Sequence, residues 1–455
     1  MAGSIYKRCG CTEVDSNSGE RRQRGSTCPD LKRPDGAWNP KHGKWGFTVG
    51  YVGPGGVRKQ KARNGFATKA AAQSALDEFR ARASKGQVIN DQLTVADYLR
   101  EWIKAKSDIK ANTSAHYGRY IEKVWIPAIG HVRLIDLRVG HVAAVFDDIN
   151  ERNDRVARGA VRGRRTTGAA SQQRMRAVLR SALSDAMREG LVTANVAALV
   201  KMPSGKRPKA KVWTEEREQV WRAEVHALLM KGRSLKRARL LATKPSPVMV
   251  WTPAQLGTFL DEAADHRLYA LWHLLAHRGP RRGESIGLEW PDIDLNAGTA
   301  TIERQRIAVI GKVIEDTPKS DAGGRVVALD RGCIEVLKAH RTQQRKDRLV
   351  WGEAWVNSGK VFTREDGSAL DPEWVSDEFI RLCIVADLPP IRLHDLRHGA
   401  ASLMLAANVD MKVVQETLGH ANLATTANTY TSVYPDVALA AAEAASAIVP
   451  RRART

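Results

Sequence analysis

Three stretches near the C-terminal end decide how the rest of the chain is read: Ile391-Arg392-Leu393-His394-Asp395-Leu396-Arg397-His398-Gly399, Thr417-Leu418-Gly419-His420, and Thr425-Thr426-Ala427-Asn428-Thr429-Tyr430. The apolar pattern predicts a helix over Leu393–Ala407, so His394 and Arg397 share one of its faces. Leu418-Gly419 reads as the end of a further helix, Met411–Leu418, with His420 just beyond it. Taken singly, each piece has an ordinary explanation. A His-x-x-Arg is commonly a surface pair, a Leu-Gly-His a glycine-capped helix end, and a Tyr a packing residue.

Working upstream, the same half of the chain supplies two more cations in defined settings. Arg281 lies in Gly279-Pro280-Arg281-Arg282-Gly283-Glu284, ahead of Leu288 and Trp290. Lys319 lies in Thr317-Pro318-Lys319-Ser320, in the second turn of a three-stranded antiparallel meander predicted over Thr299–Val309, Lys312–Glu315 and Arg325–Leu329. The ordered set Arg281, Lys319, His394, Arg397, His420, Tyr430 is far more specific than any member. It suits phosphoryl transfer. Two guanidiniums can bind the non-bridging oxygens of a phosphodiester and stabilise the extra charge of its transition state. Arg278 and Arg282 flank Arg281, and Tyr434 stands close behind Tyr430.

This set resembles the tyrosine recombinase family, the phage-type site-specific integrases. The resemblance covers Val248 to about Ile448 by motif and reaches the 93–203 segment by layout. It departs from the family where His277-Arg278-Gly279-Pro280 precedes Arg281, since a small residue, Gly and Leu are more usual there. The resemblance implies that Arg281, Lys319, His394, Arg397, His420 and Tyr430 form the active site. Tyr430 would attack phosphorus, making a 3′-phosphotyrosine link and releasing a 5′-hydroxyl. A phenol with an ordinary pKa near ~10 needs help to lose its proton, and His394 with the surrounding positive charge would give it. Lys319 would protonate the leaving oxygen, and His420 would hydrogen-bond the phosphate or orient the site. The covalent link stores the energy of the broken ester, so rejoining needs neither ATP nor metal. In keeping with this, the sequence has no Walker loop and no acidic cluster of the two-metal nuclease kind.

The expected architecture is multidomain. Residues 1–90 form a module of small β-sheet plus helix, residues 91–203 an all-α core-binding domain, residues 204–247 a charged helical linker, and residues 248–455 a mixed α+β catalytic domain. In the first module, Trp45–Tyr51 and Val57–Lys61 read as strands joined at Gly53-Pro54-Gly55-Gly56, and Thr68 caps a helix to about Ala83. Arg58, Lys59, Lys61 and Arg63 lie on or beside the second strand, a ribbon suited to the major groove. In the second domain, helices are predicted over Val95–Lys104, Asn112–Trp125, Val139–Ile149 and Ser171–Glu189. The loop Arg152–Thr167 then offers Arg155, Arg158, Arg162, Arg164 and Arg165 to phosphates. The linker carries one helix, Glu215–Leu241. Later helices are expected at Arg331–Arg345, Pro372–Val385, Leu423–Thr429 and, rich in Ala, Val437–Ile448.

Charge agrees with a nucleic-acid partner. The 455 residues carry a net +22, divided as +10 over 1–90, +6 over 91–200, +9 over 201–245 and −3 over 246–455. Charge so segregated in sequence that is 43% hydrophobic points to a polyanion rather than to a disordered tail. The longest apolar runs are too short to span a membrane, and Met1–Arg8 has no apolar signal core, so a cytoplasmic, nucleoid-associated protein is expected. Of the five cysteines, Cys333 and Cys383 read as core thiols. Cys9, Cys11, Cys28 and His42 make a ligand set that could hold a structural zinc ion. Their setting, Lys-Arg-Cys-Gly-Cys…Cys-Pro…His-Gly-Lys-Trp, is similar to integrases of actinobacterial phages and integrative elements, whose N-terminal module binds arm-type DNA sites. The tryptophans, Trp38, Trp45, Trp213, Trp221 and Trp251 among them, read as core anchors.

The function expected is integration or excision of a mobile element, as in viral genome integration. A homo-tetramer on double-stranded DNA would carry it out, aided by an accessory DNA-bending or directionality protein. The alternatives are a type IB topoisomerase-like enzyme and an inactive DNA-binding regulator.

Overall fold

A computed structural model describes residues 3–14, 20–52, 58–84, 92–160, 166–203, 208–317 and 324–422, with Leu439, Ala442, Glu443 and Ser446 beyond them. It divides into two compact units, 1–205 and 206–455.

The first unit opens with strands β1 (Gly3–Arg8), β2 (Thr12–Val14) and β3 (Arg21–Gln23), followed by β4 (Lys44–Val52) and β5 (Arg58–Phe66). β2 and β3 form a hairpin, and an antiparallel sheet has the order β1-β4-β5. Helix α1 (Lys69–Ser84) starts where Ala71 N donates to Thr68 Oγ1 at 3.1 Å, as the sequence predicts. Its Leu76 and Phe79 bury against Phe47 and Val49 of β4. Trp45 is buried, but Trp38 is 43% exposed and lies edge-on to Trp45 rather than in a core.

Helices then follow as α2 (Val95–Ala105), α3 (Ala111–Tyr120), α4 (Ile126–Ile129), α5 (Val139–Ala157), α6 (Ala169–Arg188) and α7 (Val196–Leu199). Thr94 caps α2 by accepting from Asp97 N at 3.1 Å. The expected single helix over 112–125 passes instead into a π-helical turn, Ile121–Trp125, before α4. That turn buries Ile121 and Trp125 together, and Trp125 Nε1 donates to Met175 O at 3.2 Å. α5 also runs past its predicted end, so the expected loop from Arg152 is helical as far as Ala157.

In the second unit the stretch expected as a linker belongs to the core. It contains β6 (Lys211–Val212), α8 (Glu215–Met230) and α9 (Leu235–Leu241). β6 pairs in parallel with β7 (Met249–Val250). Trp213, Trp221, Val225, Ala238 and Ala242 join the main hydrophobic cluster with Trp251, Phe259, Trp272 and Phe379. The predicted single helix is broken into α8 and α9 around Gly232, which lies at φ +73°. Its high charge concealed an apolar face that the neighbouring helices need.

The rest of the unit is α10 (Pro253–Glu262), α11 (Tyr269–Arg278), α12 (Arg282–Gly287), β8 (Ile293–Asp294), β9 (Thr299–Ile302), β10 (Gln305–Val309), β11 (Lys312–Asp316), β12 (Arg325–Ala328), α13 (Arg331–Trp351), α14 (Pro372–Val385), α15 (Leu393–Ala406) and α16 (Met411–Leu418). The expected three-stranded meander is two structures. β10 and β11 form a hairpin, while β12 pairs with β9 in the order β12-β9-β8. The strand predicted over 299–309 therefore breaks into two, and β11 and β12, on either side of Lys319, belong to different sheets. Cys333 and Cys383 are buried thiols, as expected, and burial with the nearby Asp330 pushes Cys333 up to about 12. No helix among the described residues is long and apolar enough to cross a membrane.

Candidate active site

Four of the six residues singled out near the C-terminal end fall within the described chain, and they come together where α11, α12, α15 and α16 meet. Arg281 is the N-cap of α12, and its backbone N donates to Glu284 Oε2 at 2.9 Å. Its side chain reaches Glu284 Oε1 at 2.5 Å and Gly419 O at 3.1 Å. Arg397, on α15 and only 3% exposed, donates to Gly279 O at 2.8 Å and to Leu418 O. Two guanidiniums thus meet adjacent carbonyls at the C-terminal end of α16. Those carbonyls have no partner within the helix, and its dipole favours positive charge there.

Backbone geometry makes this meeting feasible. Gly279 closes α11 at φ +62°, and a Cβ there would stand 3.0 Å from Leu418 Cδ2, 3.1 Å from Ala400 Cβ and 3.3 Å from Arg397 Cα. Only glycine lets α11 pass this close to α15 and α16. The same geometry separates the neighbouring arginines. Arg278 pairs with Asp330, Arg282 donates to Ser376 Oγ, and Arg281 alone of the three joins Arg397.

His420 follows α16, held by His420 N to Gln415 O at 3.1 Å and Gln415 Nε2 to His420 O at 2.8 Å. Burial, then the charges of Arg397 and Arg281, lower its pKa to about 3. His394 stands in the first turn of α15, beside the buried Asp395, which accepts from Arg392 N at 2.9 Å. Burial, then His398 and Arg397, bring His394 down to about 4, although the residue as a whole is exposed to solvent. Both rings are therefore neutral near pH 7, able to accept or donate a hydrogen bond in a cationic pocket.

Two supporting residues were less legible. Glu284 is 1% exposed, and burial alone would raise its pKa. Arg325 and Arg281 outweigh that and keep it below the usual carboxylate range. Arg325 on β12 donates to Glu284 Oε2 at 2.9 Å and to Thr417 O at 2.8 Å. In sequence it is simply a strand cation, and only pairing of β12 with β9 brings it under α16. Beside the site a groove of about 590 Å³ is lined by Lys236 and Lys244 of the α9 region, Arg281, Arg282, Arg392 and His394.

Lys319, Tyr430 and its rival Tyr434 lie outside the described residues, as do Arg162, Arg164, Arg165, the 53–56 turn, the predicted helix 423–429 and most of 437–448. Arg155 and Arg158 are exposed, the first on the last turn of α5 and the second just after it. On β5, Arg58, Lys59 and Arg63 are exposed and Lys61 is half-buried. Strand alternation separates them. Arg58 shares the open face with Gln60 and Asn64, whereas Lys59, Lys61 and Arg63 lie opposite Tyr51, Val49 and Phe47 at the edge of the helix-covered face. The Sγ atoms of Cys9, Cys11 and Cys28 and a ring nitrogen of His42 all lie within 4.8 Å of one another.

Comparison with known proteins gives two family matches. Residues 251–436 match the Phage integrase family, and residues 39–83 match an Arm DNA-binding domain. A XerC-like tyrosine recombinase from Caldanaerobacter subterraneus is 34% identical over 201 residues, 40% of this chain and 51% of that protein. The chain thus spans about half the length of that relative. An integrase from Streptomyces ambofaciens is 26% identical over 413 residues, 88% of this chain and 92% of its own. Among solved structures, the Tn1549 transposon integrase in complex with circular-intermediate DNA has TM-score 0.54 at 17% identity, covering 78% of this chain and 99% of that one. The last is a likeness of fold.

Proposed function

From a phage integrase family domain joined to an arm DNA-binding domain, we propose that the chain is a site-specific DNA recombinase that cuts and rejoins strands through a 3′-phosphotyrosine intermediate. The observation that carries this reading is the pair Arg281 and Arg397, held side by side on the carbonyl end of α16 with His420 and His394 close by. A phosphate entering there would take its non-bridging oxygens to the two guanidiniums, replacing carbonyl contacts with charge-assisted bonds. Neutral His394 would accept the proton of Tyr430 as the phenol attacks phosphorus. His420 would donate to a phosphate oxygen, and Lys319 would protonate the departing 5′-oxygen. Glu284 would fix Arg281 in place. The resulting ester is opened by the 5′-hydroxyl of another strand, which returns the proton and frees Tyr430.

In this proposal residues 1–90 hold arm-type sites, residues 91–203 with Arg155, Arg158, Arg162, Arg164 and Arg165 hold the core site, and four protomers assemble on DNA to integrate or excise a mobile element. Arg58, Lys59, Lys61 and Arg63 contact arm-site DNA, and Cys9, Cys11, Cys28 and His42 hold a structural zinc ion.

The test is a nicked suicide duplex carrying the attachment site, incubated with wild type and Tyr430→Phe. Wild type is expected to form covalent protein–DNA product and the variant none. No adduct from wild type sinks the enzyme reading, and an adduct that survives Tyr430→Phe moves the nucleophile to Tyr434. Relaxation of any supercoiled plasmid without a paired site would favour a topoisomerase instead.

A further inference from the structure

Among its described residues, the lobe 9–43 has almost no core. Its buried apolar members are Cys9, Cys28 and Leu31, with Cys11 packed beside them. A segment this small does not bury enough surface to offset its ordering entropy, and such lobes are ordinarily closed by disulfides or metal. All its cysteines are free thiols.

The four ligand atoms sit at the ends of four elements. Cys9 follows β1, Cys11 precedes β2, Cys28 precedes the turn Pro29–Leu31, and His42 stands just before β4. Cys11 Sγ and Cys28 Sγ lie 3.4 and 3.5 Å from His42 Nε2. Around a tetrahedral zinc ion with Zn–S ≈ 2.3 Å and Zn–N ≈ 2.0 Å, the sulfur–nitrogen separation is about 3.5 Å. The backbone is shaped to allow it. Gly43 has φ +79°, and a Cβ there would meet Leu31 Cδ2 at 2.5 Å and Arg8 O at 2.7 Å. Any other residue would push His42 away from the thiols. The family match for arm binding starts at residue 39, so the three cysteines lie ahead of it.

The surface of the lobe is basic. Arg21 and Arg22 on β3, with Arg33 and Lys41, are exposed, while Arg24 is paired with Glu13 at 2.9 Å. We infer that one zinc ion on Cys9, Cys11, Cys28 and His42 folds this lobe and makes it a second, metal-dependent grip on DNA phosphate, beside the sheet of the arm module. The inference rests on the proposal that the N-terminal module binds DNA. On binding, the three thiols release their protons to solvent, and no other bond is made or broken. The lobe thereby gains a fixed framework on which β2 and β3 present their cations.

The test uses the full-length protein. Elemental analysis is expected to find one zinc per chain, and cobalt(II) in its place to give the intense thiolate charge-transfer absorption of a tetrahedral sulfur-rich site. Tiled duplexes from the region beside the gene serve as the DNA probe, with affinity measured against salt. Stripping zinc with a strong chelator is expected to weaken the best-bound arm duplex at least tenfold and flatten its salt dependence, and re-added zinc to restore both. His42→Cys should keep zinc and affinity, whereas His42→Ala should lose both. Absence of zinc, with Cys9, Cys11 and Cys28 freely titratable in the native chain, overturns the site. Zinc present but affinity and salt slope unmoved by chelation overturns the grip. Suicide-duplex cleavage by the same samples is read separately; its failure in untreated protein would overturn the recombinase reading and leave the zinc result standing.

Discussion

The N-terminal module and the second unit both carry cations to which the proposed function gives roles, but they hold them in opposite ways. On β5 and β3 the cations, Lys61 apart, are exposed, numerous and backed by a thin core. Around α16 they are few; Arg397 is buried, the Arg325 side chain is largely covered, and both are anchored to backbone carbonyls, Arg325 also to Glu284. Exposed charge acts on a polyanion through counterion release, tolerates small displacements and varies with salt. Charge fixed by buried partners cannot relax away from a developing transition state, so it serves chemistry. Net charge follows the same division, strongly positive before residue 246 and −3 after it.

Replacing the fork of one placed cation is the harshest way to break this contrast. Arg397→Lys keeps the charge but loses the fork that joins Gly279 O to Leu418 O. The rate of covalent product formation on a suicide duplex is expected to fall by about 10²- to 10³-fold, with DNA affinity little changed. A near-normal rate would mean that bulk charge suffices. Next in size is Glu284→Gln, which leaves Arg281 and Arg325 without their shared carboxylate. Breaking a buried pair of this kind costs roughly 3 kcal/mol, read as a lower denaturant midpoint. Cleavage should slow at least tenfold as Arg281 loosens. If Glu284→Gln melts early but cleaves normally, Glu284 is only a structural partner.

The contrast also explains what the sequence made legible. The His394/Arg397 spacing, the α14 and α16 boundaries and the Thr68 and Thr94 caps were readable because each depends on contacts within a few residues. Arg281 was readable through its distance from Glu284, which proves to be a capping hydrogen bond. Arg325 was not, because its position depends on β12 pairing with β9 rather than β11, a choice made by tertiary packing. For the same reason residues 204–247 read as a linker. Their apolar positions, Trp213, Trp221 and Val225, are sparse among charges, and only the facing Trp251 and Phe259 reveal them as core. The thiol cluster was readable as a ligand set although its spacings fit no common pattern, and the fold adds that the four ligand atoms lie within 4.8 Å of one another.

A smaller effect is expected from the exposed side of the comparison. The combined substitution Arg58→Ala, Lys59→Ala and Arg63→Ala should weaken binding to arm-site duplexes severalfold and lower the slope of log affinity against log salt by about 2 to 3. Cleavage of a duplex that carries only the crossover site should change little. If instead affinity falls for one sequence and the salt slope stays, these residues read bases, and the open-face position of Arg58 beside Gln60 and Asn64 becomes the place to look.

The least disruptive probe is pH, which touches the rings of the second unit and spares the cations of β5. Guanidinium and ammonium groups ordinarily ionise far above this range, so the grip of β5 on DNA should be flat from pH 8 to 5. The rings near the second unit's buried cations behave differently. His394 and His273 titrate near about 4 and His420 near about 3, all below the ordinary value of 6.5. Between pH 6.5 and about 4 the unfolded chain therefore binds protons that the folded chain refuses. Folded stability falls as pH is lowered through that window and is fully recovered above it. The melting temperature of the DNA-free protein should decline from pH 7 to 5, and His394→Asn with His420→Gln should flatten part of that decline. A bound phosphodiester would draw both pKa values upward, so DNA at the site should narrow the same loss. A melting curve indifferent to pH across this window would mean that the cations do not hold the two rings neutral. The rings would then titrate near the ordinary value of 6.5, and the base for the tyrosine's proton would be lost as pH falls through that value rather than near 4.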